Sequence, residues 1–103
     1  MKGVFQRAPT ETAQNYLRRA GYARHVSADG EVSYVLRTSG YEFPRFHIYV
    51  DERPNKHTIS IHLDQKAQTY DGFSAHSGEY DGPIVRHELA RVASVVNIPL
   101  ILQ

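Results

Sequence analysis

The sequence predicts an α+β domain, a three-stranded antiparallel sheet with an N-terminal and a C-terminal helix on one face, in the order α-β-β-β-α. Three observations lead there. Apolar residues recur at helical spacing in two stretches near the chain ends, and they alternate with polar residues in three stretches between. The turns joining those three stretches are too short for the crossover that parallel strands need.

In the first helix, Ala13, Tyr16, Leu17 and Ala20 fall at i, i+3, i+4 and i+7 within Thr10–Ala20, with Thr10 or Thr12 as a cap and Gly21 as a stop. The first strand runs over 32–38, with Val32, Tyr34 and Leu36 on one side and Ser33 and Arg37 on the other. After Ser39, Gly40 and Pro44, the second alternates over 45–51, setting Phe46, Ile48 and Val50 against His47, Tyr49 and Asp51. A turn at 52–56 leads to the third, 57–64, where Ile59, Ile61 and Leu63 oppose Thr58, Ser60, His62 and Asp64. Asp81, Gly82 and Pro83 open the last helix, whose stripe is Val85, Leu89, Val92 and Val96, and Asn97 and Pro99 end it.

A chain of 103 residues is one domain, 1–103, large enough to bury a core without staples. The absence of cysteine rules out disulfides, Cys-bound zinc, iron–sulfur clusters and thiol nucleophiles. No stretch approaches the roughly 20 apolar residues of a membrane helix, so no membrane role and a cytoplasmic location are expected. Lys and Arg number 12 against 11 Asp and Glu, which argues against tight, sequence-blind binding to nucleic acid. The apolar tail, residues 98–102, is expected to pack on the domain or to join two copies in a homodimer.

Both helices cover the apolar face, which leaves Ser33, Arg37, His47, Tyr49, Ser60, His62 and Asp64 on the other. His, Tyr, Arg and Asp are the types that assemble acid/base, anion and metal sites. After the third strand, residues 65–82 show neither helical nor strand periodicity, and loops of that length in compact domains are usually functional or disordered, disorder being the weaker reading of one with aromatic anchors. Tyr70, Phe73 and Tyr80 give it apolar anchors that could seat it over the open face, bringing Lys66, His76 and Glu79 along. His62, His47, His76 and Asp64 are therefore the candidate catalytic group. Tyr49, Arg37, Lys66, Tyr70, Phe73, Tyr80 and Glu79 are the candidate binding residues. His57 is read as a rim residue, and His25 and His87 as surface residues.

Three chemistries use these types. A phosphate-bearing ligand such as RNA can be gripped by Arg and Lys and stacked on the aromatics, with imidazoles as acid and base of a ribonuclease. Histidines with a carboxylate can instead bind a divalent metal, as a metal-binding domain or metal-dependent hydrolase. A non-catalytic protein-interaction module is the third. Phosphate-loop and nucleophile-elbow motifs are absent.

The order of elements over residues 10–96, with Leu17-Arg18-Arg19-Ala20-Gly21-Tyr22 closing the first helix, resembles double-stranded-RNA-binding domains and the HicA-type toxins. That resemblance implies RNA as the ligand and, for the toxins, ribonuclease activity through a histidine. The toxins' Gly-Ser-His segment and the RNA-binding domains' lysine cluster have no match here. His62-Leu63-Asp64-Gln65-Lys66 together with Ala75–Gly82 is similar to a stretch of small uncharacterised microbial proteins. RNA binding on the open face is the leading expectation.

Overall fold

The computed structural model describes residues 1–65, 78–79 and 81–103. Lys66, Tyr70, Phe73, His76 and Tyr80 lie outside the described residues, and Glu79 is described only as a strand position, so the expected folding of 65–82 over the sheet falls mostly outside the described residues.

The elements run β1 (Lys2–Phe5), α1 (Ala13–Arg19), β2 (Ala23–Val26), β3 (Val32–Arg37), β4 (Arg45–Arg53), β5 (Lys56–Asp64), β6 (Gly78–Glu79), α2 (Pro83–Val96) and β7 (Leu100–Leu102). The α+β class and the two helices agree with the sequence reading, but a sheet of three strands does not. Six strands lie in the order β2-β3-β4-β5-β1-β7, every pair antiparallel, and the two-residue β6 adds to the end of β5. The three expected strands are the interior strands β3, β4 and β5.

The missing strands are short and carry little alternation. β1 is four residues with Gly3 inside it, facing the core: a Cβ there would come within 3.2 Å of Leu100 Cδ2 and 3.4 Å of Leu89 Cδ2. Glycine lets α2 and β7 approach the strand, at the cost of a strand signal. β2 is an edge strand exposed at all four positions, so no apolar row marks it. The apolar tail forms β7, paired with β1 through Gly3↔Leu102, Val4↔Ile101 and Phe5↔Leu100.

Local chemistry sets the helix ends. Thr12 caps α1, its hydroxyl accepting from the Asn15 amide at 3.2 Å, and Gly21 follows at φ +99°, a value glycine adopts without strain. Pro83 opens α2 and Asn97 closes it in the left-handed region at φ 63°. β4 and β5 form a hairpin whose last pair, Arg53↔Lys56, leaves Pro54 and Asn55 as a two-residue loop.

The core lies between the helices and one sheet face, where Leu17, Ile48, Ile59, Val85 and Val92 are fully inaccessible. His57 belongs to this core rather than to the rim. It is 4% exposed, and its Nδ1 is 2.8 Å from the Tyr16 hydroxyl. Glu88 is also buried, joining Tyr22 and Arg91 beneath α2. Among the described residues no helix is long and apolar enough to cross a membrane.

Burial raises the pKa of both Tyr16 and Tyr22, and at Tyr22 the Glu88 carboxylate reinforces it. The unfolded chain releases these phenolic protons near pH 10 while the folded chain holds them. Their contribution is therefore intact below pH 10 and is lost as pH rises above it. Urea midpoints are expected to fall steeply above pH 10, and Tyr22→Phe should reduce that slope. An equal slope in both proteins would count against the assignment.

A cross-strand histidine and carboxylate cluster

The site follows from the register of the three interior strands. Alternation sends Ser33, Val35 and Arg37 of β3, Arg45, His47 and Tyr49 of β4, and Ser60, His62 and Asp64 of β5 to the face away from the helices. His47 stands directly opposite His62, Arg45 opposite Asp64, and Arg37 opposite Arg45. Neighbouring strands lie only about 4.8 Å apart, so these functional groups meet side by side.

Asp64 is the hub. Its Oδ1 is 2.8 Å from His62 Nε2, and its Oδ2 lies 3.3 Å from His47 Nδ1 and accepts from Arg45 Nε at 3.4 Å. The other nitrogen of His47, Nε2, is 2.8 Å from the Ser33 hydroxyl, which is buried. His47 thus has a partner on each ring nitrogen. The imidazoles of His47 and His62 are 5.0 Å apart between centroids, Tyr49 packs 4.7 Å from His47, and His25 meets His47 edge-on at 6.5 Å.

Burial lowers the protonation of His47 below the ordinary histidine value; His62 and Arg45 push the same way, and the Asp64 charge opposes them. His47 is a neutral imidazole at neutral pH, a form with a lone pair to offer. Arg45 is held by Asp64, by Glu42 at 3.6 Å and by the Phe43 ring, 4.5 Å from the guanidinium carbon to the ring centroid.

Next to the cluster, a cleft of about 520 Å³ is lined by Arg24, His25, Arg37 and Arg45 with Ala23 and Val35. Arg24 and Arg37 are exposed, and neither makes an ion pair or hydrogen bond with a described residue.

Of the sequence candidates, His47, His62, Asp64, Tyr49 and Arg37 come together on this face. Ser33, Arg45 and His25 complete the site and were not among the expected site residues. Arg45 had a readable signal, since it shares the two-residue period of His47 and Tyr49. Ser33 lay on the polar row of its strand, and its role depends on a cross-strand contact. His25 had none, because β2 itself had none.

The chain matches no family model, no curated protein and no solved structure.

Proposed function

We propose that the protein binds RNA, or a ligand presenting the same phosphates, across this face of the sheet. The carrying observation is Arg37, without an ion pair among the described residues and directly opposite Arg45 at the cleft beside the histidine cluster. Like charges facing each other across two strands destabilise a sheet. Asp64 and Glu42 hold Arg45, whereas Arg37 has no counter-ion among the described residues, and a phosphate between the two guanidiniums would supply one. His25 lines the cleft and Tyr49 lies beyond His47 on the same face, both offering rings on which an unpaired base can stack. A net charge of +1 makes this local recognition rather than a broad electrostatic grip.

Labelled single- and double-stranded RNA, mixed at low salt with chelator-treated protein, tests the reading. Binding with a dissociation constant in the micromolar range is expected. Arg37→Ala should weaken it about tenfold and lower the salt slope by about one, as loss of one phosphate contact does, with little change in folding stability. No retention at micromolar protein, or an unchanged salt slope in Arg37→Ala, would defeat the proposal. Gels of the same mixtures, with and without added divalent metal, report cleavage.

One observation favours a second reading, self-association through the tail. The inner edge of β7 is taken by β1, and at the sheet margin Ile101 and Leu102 remain 57% and 44% exposed. An edge with no strand partner among the described residues can pair with a second copy.

A further inference from the structure

We infer that His47, His62 and Asp64 form a site for one divalent transition metal, zinc in the first instance, at the edge of the phosphate-binding face. The inference takes from the RNA reading only the role of the neighbouring cleft; the metal site stands on its own ligands.

One donor atom from each of the three residues lies within 4.8 Å of the other two. A tetrahedral ion with bonds near 2.1 Å needs its donors about 3.4 Å apart. The two carboxylate contacts, 2.8 Å from Oδ1 to His62 and 3.3 Å from Oδ2 to His47, fall a little short of that spacing, so an ion would enter by parting and rotating side chains that already meet. The scaffold is stiff: His47 and His62 are cross-strand partners in the longest strand pair of the sheet, and Asp64 follows two residues after His62. Two imidazoles and one carboxylate suit zinc, cobalt or nickel better than calcium or magnesium, which prefer oxygen donors throughout.

Ser33 supplies the outer support. With Nδ1 of His47 turned to a metal, Nε2 carries the proton and donates it to the Ser33 oxygen; with the metal absent, the hydroxyl donates to Nε2 instead. A buried hydroxyl satisfies the ring in both states and fixes its orientation, as outer partners of metal-bound histidines do. Arg45 on the ligand carboxylate offsets the negative charge, which weakens cation affinity but favours an anion at the position that three protein ligands leave open. A phosphate held by Arg37 and Arg45 would lie beside that position.

The test uses the full chain after chelation, titrated with zinc in equilibrium dialysis and with cobalt, whose visible bands report low coordination number. One equivalent of zinc is expected, with tetrahedral-type cobalt bands. His62→Gln and Asp64→Asn should each lose the tight equivalent, Ser33→Ala should weaken it about tenfold, and His87→Gln should leave it intact. Circular dichroism of each variant separates lost metal from lost fold; if Asp64→Asn does not fold, His62→Gln decides. No zinc uptake, or the same affinity in His62→Gln and Asp64→Asn, would overturn the site. RNA retention by chelated protein with no zinc uptake would remove the metal site and leave the RNA reading standing, while zinc uptake without RNA retention would do the reverse.

Discussion

Glu88→Ala is expected to destabilise the fold by about 1.5–3 kcal/mol, the range for losing hydrogen bonds to a buried charged group, because its ion-pair partner Arg91 is 39% exposed and stays hydrated. Glu88 is 6% exposed on α2, and its carboxylate accepts from the Tyr22 hydroxyl at 2.6 Å and from Arg91 at 2.8 and 2.9 Å. Arg91 also donates to the Ala20 carbonyl at 2.7 Å, so one network ties α2 to the end of α1 and the start of β2. Alanine would leave the Tyr22 hydroxyl buried without its acceptor and Arg91 without its carboxylate. Glu88→Gln keeps an acceptor for Tyr22 but loses the charge, and should cost less. Urea unfolding at neutral pH measures both. A loss under 1 kcal/mol for alanine would mean that water replaces the carboxylate, contrary to a buried network.

The stripe of α2 was legible because Val85, Leu89, Val92 and Val96 keep helical spacing, but Glu88 sits in the same buried sector and reads from sequence as a surface residue paired along its helix. Its burial depends on Tyr22, 66 residues earlier in the chain, and no local pattern reports that. The same limit divides the sheet. β3, β4 and β5 are half-buried and long enough to alternate, so their faces could be assigned residue by residue. β1, β2 and β7 are three or four residues long, one with a glycine and one wholly exposed, and pairing rather than pattern makes them strands. Assigning the faces was enough to place His47, Tyr49, His62, Asp64 and Arg37 together. Register was needed for the rest: only the alignment of β3 with β4 puts Arg37 against Arg45, and only side-chain contact across them joins Ser33 to His47. His57 alternates with the core row, and its partner Tyr16, on the first helix, is what makes a buried histidine acceptable there.

Asp64→Ala separates stability from binding, because the two are expected to move in opposite directions. Asp64 is the anion that Arg45, His47 and His62 share, and its side chain is 22% exposed. Removing it takes away hydrogen bonds to charged or chargeable groups that are themselves largely covered, which should cost roughly 1.5–3 kcal/mol of folding stability. The same change releases Arg45 from Asp64, leaving Glu42 and the Phe43 ring beside it, and deletes a negative charge beside the cleft where Arg37 and Arg45 face each other. A unit charge a few ångströms from a bound phosphate is worth about 1 kcal/mol in a watery setting, so RNA affinity in the presence of chelator should rise about fivefold. Natural sites often give up stability for function, and here the carboxylate would give up affinity for an ordered cluster and a metal ligand. Urea midpoints and RNA titrations on the same preparation decide it. Weaker RNA binding in a folded Asp64→Ala protein would show that Asp64 arranges the arginines for phosphate rather than competing with it.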